Sequence, residues 1–213
     1  MLNLTAAWLR VALLVAMLVT GGAASGKPAT ILVFGDSLSA EYGLPRDTGW
    51  AKLLANRLAK EALQYSVVNA SISGETTSGG RTRLPALLQQ HAPSVVILQL
   101  GANDGLRGLS LASMRDNLTA MVESSRSSGA QVLLIGIRIP PNYGREYAER
   151  FAGIYAQLAS AQKVALVPFL LDGFADDLDY FQADRIHPNQ RAQPRMLDTV
   201  WLKLAPLLRT NKR

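Results

Sequence analysis

Unbroken apolar runs that alternate with amphipathic stretches are what most limit the folds open to this chain. Thr30–Phe34 is a continuous apolar, β-rich run, as expected of a strand buried on both faces. Ser66–Val68, Ser94–Leu100, Gln131–Ile135 and Val164–Val167 repeat that signal. Between these runs apolar residues recur at helical spacing. Trp50, Leu53, Leu54 and Leu58 do so within 49–63, and Tyr147, Phe151, Ile154, Tyr155 and Leu158 within 145–162. Further helices are predicted over 83–91, 111–125 and 190–208. Strands separated by amphipathic helices form βαβ units, and their right-handed crossovers place helices on both faces of a parallel sheet. The expectation is a three-layer, doubly wound (flavodoxin-like) α/β domain with a five-stranded parallel sheet. In such sheets the functional crevice lies at the C-terminal ends of the strands.

The length of 213 residues suits one such domain, with a core large enough to need neither disulfide nor metal. No cysteine is present, which excludes a disulfide framework, a thiol nucleophile and a thiolate metal site. Arg10 precedes the apolar run Val11–Val19, and the small residues Gly21, Gly22, Ala23, Ala24 and Ser25 follow. That layout predicts a secretory signal over 1–24, with the working domain over 25–213. The run is about half as long as a membrane span requires. A net charge of +6 is spread along the chain without a basic stripe or a zinc-finger spacing, so it reads as a solvated surface and not as a nucleic-acid site. There is no dinucleotide fingerprint and no phosphate loop, and the acidic residues Asp172, Asp176, Asp177 and Asp179 lack the order of a calcium loop. No cofactor and no metal are expected.

The polar residues that interrupt the pattern fall after the strands. Gly35, Asp36 and Ser37 follow the first, Ser73 and Gly74 the second, and Gly101, Ala102, Asn103 and Asp104 the third. Asp184 and His187 precede the last helix. A serine hydroxyl needs a neighbouring base to become a nucleophile, and histidine titrates in the right range. Of the two histidines, His91 ends a predicted helix, where it is solvated or caps the helix. Pro188 keeps His187 extended, so that Asp184 can reach its Nδ1–H across a turn. Taken alone, Asp-x-x-His fits a helix cap or a surface histidine better than a catalytic pair. Gly74 and the Ser37 N–H can supply backbone donors to an oxyanion, and Asn103 a side-chain amide. Taken singly, Gly74 and Asn103 each read better as turn residues. Asp36 reads as a turn-stabilising carboxylate. Leu106, Leu109, Ile139 and Tyr143 are candidate acyl contacts, and Arg107 reads as a solvated arginine that could also meet an anionic head group.

Gly35-Asp36-Ser37-Leu38, Gly74, Gly101-x-Asn103-Asp104 and Asp184-x-x-His187-Pro188, in that order, resemble the four sequence blocks of the SGNH (GDSL) hydrolase family. The resemblance covers essentially the whole mature chain. Asn69–Thr76, Arg83–Leu88, Asn103–Gly108, Ile139–Gly144 and Ile186–Asn189 are similar to the periplasmic multifunctional thioesterase/lysophospholipase/arylesterase subgroup of Gram-negative bacteria. It implies a triad of Ser37, Asp184 and His187 and an oxyanion hole of Ser37 N–H, Gly74 and Asn103. It also implies a periplasmic, monomeric enzyme acting on small acyl esters and thioesters, with transient contact with lipid. A carbohydrate O-acetyl esterase on the same scaffold is the alternative, and a non-catalytic ligand-binding domain a remote one. Glu41 and Arg185 are extra charges close to these segments. The Gly-x-Ser-x-Gly elbow of α/β-hydrolases is absent around Ser37.

Overall fold

The computed structural model describes residues 28–210, so the expected signal over 1–24 lies outside the described residues. Five strands run β1 (Ala29–Gly35), β2 (Tyr65–Asn69), β3 (Val95–Gln99), β4 (Gln131–Ile135) and β5 (Ala165–Val167). They pair in the order β2-β1-β3-β4-β5, every pair parallel. Ile31–Phe34 and Val95–Leu98 are fully shielded from solvent, which explains their lack of polar alternation. Burying one such side chain contributes about 1.5–3 kcal/mol relative to exposure.

Six α-helices cover the sheet: α1 (Trp50–Lys60), α2 (Thr77–His91), α3 (Ala102–Leu106), α4 (Leu111–Ser127), α5 (Arg145–Gln162) and α6 (Gln193–Thr210). α1 packs against α6 on one face, while α2, α4 and α5 pack in series on the other. The chain steps from β1 outward to β2 and then back across β1 to β3, so the winding direction reverses between β1 and β3. Ser37 and Asn103 emerge at that switch point, at the C-terminal ends of the strands, which is where sheets of this kind place their functional crevice.

Three helical expectations differ from the structure. α2 begins at Thr77 and not at Arg83, because Thr76 caps it by accepting the Gly79 N–H through its side chain, and because Asp104 accepts the Thr77 N–H. α3 forms where Asn-Asp-Gly, which is turn chemistry, predicts a loop. The segment before α6 starts as a 3₁₀ turn over Gln190–Ala192, initiated by the Asn189 side chain on the Arg191 N–H. Among the described residues no helix is long and apolar enough to cross a membrane, and no cluster of three or more His, Asp or Glu could hold a metal ion.

Candidate active site

Ser37 sits on a turn fastened from several sides. The Asp36 carbonyl accepts the Ser39 and Ala40 N–H groups, and Asp36 Oδ1 accepts the Leu38 N–H (3.0 Å) and Gln99 Nε2 (3.0 Å). Gln99 Oε1 accepts the Ser39 hydroxyl at 2.6 Å. Trp50 Nε1 donates to the Leu38 carbonyl and Asn69 Nδ2 to the Ser39 carbonyl. Asp36 is fully buried, and burial pushes its carboxyl up to about 6, with the Gln99 and Leu38 bonds holding it down in part. Its role as a turn carboxylate agrees with these contacts. Ser37 itself stays half-buried beside this rigid frame.

His187 lies on a short antiparallel reversal. Phe181 bridges Pro188, the Gln182 N–H donates to the His187 carbonyl, and the Asn189 N–H donates to the Tyr180 carbonyl. Within the turn, Asp184 Oδ1 accepts the Ile186 and His187 N–H groups, while Oδ2 meets His187 Nδ1 at 2.6 Å. Burial pushes the Asp184 carboxyl up, but the two N–H groups and the imidazole outweigh it and hold the group below its ordinary value. His187 Nε2 lies 2.9 Å from Ser37 Oγ. Nδ1 faces a carboxylate that can only accept, so the hydrogen-bond network assigns the neutral ring's proton to Nδ1. Nε2 then offers its lone pair to the Ser37 hydroxyl. His91, the other histidine, ends α2.

The β2 and β3 connections are laced to this turn and to each other. The Ile72 N–H donates to the Gly35 carbonyl, and Asn103 Nδ2 donates to the Glu75 carbonyl at 3.0 Å, which uses one of its two hydrogens. Asp104 accepts the Thr77 N–H (2.9 Å) and hydroxyl (2.6 Å), which ties α3 to the start of α2. Gly74 has φ +81°, a conformation that costs glycine nothing and other residues strain. Among the described residues the Ser37 and Gly74 N–H groups make no hydrogen bond within the chain. Such donors remain available to an incoming oxygen.

Several contacts go beyond what the sequence signals. Arg107 is exposed, as a solvated arginine would be, and also donates to the Gly74 carbonyl at 3.1 Å. Gln99 ends an otherwise apolar strand, and that lone polar residue is the available signal for its role. Tyr42 places its ring 4.4 Å from the His187 ring, tilted by 42°, with no sequence signal at all. Glu41 closes its own loop by accepting the Asp47 and Gly49 N–H groups. Arg185 is an exposed turn residue with φ +58°. Asp177 accepts the Asp179 N–H, and Asp179 faces Arg191 at 3.8 Å, in a solvated loop as expected.

Of the candidate acyl contacts, Ile139 is buried in the core and Leu106 is partly buried against that core. Leu109 and Tyr143 are exposed. Among the described residues seven large hydrophobic side chains are exposed, and six of them (Tyr42, Ile72, Leu109, Tyr143, Leu178 and Ile186) lie on connections leaving the C-terminal ends of strands.

Residues 33–193 match the model of the GDSL-like Lipase/Acylhydrolase family. Esterase TesA of Pseudomonas aeruginosa is 52% identical over 179 residues, covering 84% of this chain and 89% of that protein. Thioesterase 1/protease 1/lysophospholipase L1 of Escherichia coli strain K12 is 42% identical over 179 residues, covering 84% and 85%. A crystal structure of TesA superposes with a TM-score of 0.82 at 52% identity, covering 84% of this chain and 99% of that one.

Proposed function

The chain belongs to the GDSL-like lipase/acylhydrolase family and is a serine ester hydrolase, and on that premise we propose that Ser37, His187 and Asp184 are its catalytic triad. One observation carries the proposal: the His187 imidazole is engaged at both nitrogens, by Asp184 Oδ2 at 2.6 Å and by Ser37 Oγ at 2.9 Å. His187 takes the Ser37 proton as Oγ attacks an acyl carbonyl, and Asp184 stabilises the imidazolium that forms. The carbonyl oxygen, now negative, is received by the Ser37 N–H, the Gly74 N–H and the second Asn103 amide hydrogen. His187 returns the proton to the leaving alcohol or thiol. Water activated by the same imidazole then releases the acid from Ser37.

The substrates are carboxylic esters and thioesters with apolar acyl chains, including acyl-CoA, lysophospholipid and aryl esters. The exposed hydrophobic side chains on the strand-end connections support this reading over a carbohydrate acetyl ester, which calls for a polar crevice. The enzyme works as a monomer in the periplasm, as the domain 25–213 released from its signal over 1–24, with transient contact with lipid.

The test is a panel of acyl-CoA, lysophospholipid and aryl esters from acetyl to palmitoyl, run on the mature protein and on Ser37→Ala. Medium or long acyl groups are preferred, and Ser37→Ala keeps its fold but loses turnover and fluorophosphonate labelling. Full activity in Ser37→Ala would overturn the mechanism. A strict acetyl preference would favour the O-acetyl esterase.

A further inference from the structure

The proposed nucleophile and base belong to two separate connections. Ser37 lies on the β1–α1 connection, and His187 on the segment between β5 and α6, 150 residues later. Apart from the Ser37–His187 contact, one hydrogen bond directly joins Asp36–Thr48 to Tyr180–Asn189 among the described residues. It comes from the Gln182 carboxamide. Gln182 Nε2 donates to the Tyr42 carbonyl at 2.8 Å and to the Pro188 carbonyl at 3.2 Å. The Gln182 main chain holds the histidine side of the same clip: its N–H donates to the His187 carbonyl at 2.8 Å, and its carbonyl accepts the Arg185 N–H at 2.9 Å.

Two neighbours are shaped around this clip. Gly43, the next residue after Tyr42, has φ +69°, and a Cβ there would fall 2.1 Å from Gln182 Oε1. Any other residue at 43 would strain that backbone and push the Gln182 carboxamide out of its present place. Tyr42, whose carbonyl is held, turns its ring onto His187 at 4.4 Å. The imidazole is thus bounded by Asp184 at Nδ1, Ser37 at Nε2 and the Tyr42 ring against its own ring.

We propose that Gln182 is a positioning residue for ester hydrolysis: by holding the Tyr42 and Pro188 carbonyls on one amide, it keeps the Tyr42 ring against His187 and Nε2 within reach of Ser37 Oγ. It touches no reacting atom. Its action on the reaction rests on the triad reading above, and passes through the Ser37–His187 separation. Misplacement of reacting groups by about 1 Å can cost on the order of 100-fold in rate.

The test compares Gln182→Ala and Gln182→Glu with the wild type on a short-chain chromogenic ester from pH 5 to 9, with melting temperatures recorded alongside. Gln182→Ala lowers kcat by about 10- to 100-fold, with KM within about twofold, because the clip sets proton transfer and not substrate contact. Gln182→Glu keeps the shape. When ionised it turns an oxygen, with no proton to donate, toward two carbonyls; when protonated it regains one donor. The ratio of its kcat to that of the wild type therefore rises as pH falls, which loss of packing alone would not produce. A kcat within twofold of the wild type in Gln182→Ala, or a Gln182→Glu ratio that is flat in pH, overturns the inference even if Gln182→Ala is less stable. Ser37→Ala, run in parallel, separates the two claims: its inactivity beside an unaffected Gln182→Ala sinks only the role of Gln182, and its activity sinks the triad beneath it.

Discussion

Replacing Asp36 with asparagine should remove part of the pH dependence of folding. Asp36 is fully buried, its Oδ1 accepts two hydrogen bonds, and its Oδ2 has no partner. Burial raises its carboxyl from the ordinary 3.8 to about 6. The folded state therefore holds the proton more tightly than the unfolded chain. This contribution to stability is complete below pH 3.8 and is lost as pH rises through about 6. At 1.36 kcal/mol per pH unit the full effect is about 3 kcal/mol, of which about 2 kcal/mol falls between pH 4.5 and 8. The amide of Asp36→Asn would keep the acceptor for Leu38 and Gln99 but would place an NH₂ where Oδ2 now stands alone. That costs about 1–3 kcal/mol at every pH. The change with pH therefore isolates the carboxyl, whereas the offset does not. Urea unfolding of both proteins at pH 4.5 and 8 should show the stability difference moving by about 2 kcal/mol in favour of Asp36→Asn at the higher pH. A difference that stays constant, or moves the other way, would refute the reading of Asp36 as a buried acid held under strain.

His187→Ala should abolish ester turnover while His91→Ala keeps it, as measured on the same chromogenic substrate; the reverse outcome would mean that the base is misassigned. Asn103→Ala should lower kcat by about 10²- to 10³-fold with a smaller effect on KM, the loss expected for one oxyanion donor. Asp184 is held below its ordinary value, so its contribution to stability is present above pH 3.8 and fades as pH falls through its lowered value. Acid unfolding should accordingly be shallower in Asp184→Asn than in the wild type, and an unchanged acid limb would count against the Asp184–His187 pairing.

The central strands are legible in the sequence because they are buried on both faces. Ile31–Phe34, Val95–Leu98 and Val132–Ile135 have no solvent side to require a polar residue, so the apolar run itself is the signal. The start of α2 is hidden because Gly79 and Gly80 lower helix propensity while the stabilising partners, Thr76 and Asp104, are a cap and a tertiary contact. α3 is hidden by its own turn-like composition. The same distinction runs through the site. The Asp184–His187 contact spans three residues and is visible as a spacing. The Gln182–Tyr42 and Arg107–Gly74 bonds join residues 140 and 33 apart, and no spacing in the sequence pairs a side chain with so distant a carbonyl. Only the folded backbone brings them together.

The 150-residue separation of Ser37 from His187 also orders events in time. On a chain made at about 5–20 residues per second, the serine exists for about 8–30 s before its histidine is made. A hydroxyl without a base is a poor nucleophile. On the proposed triad, the growing polypeptide thus carries a serine without its base, and a working site is complete only once the segment between β5 and α6 has folded back against the connection that follows β1.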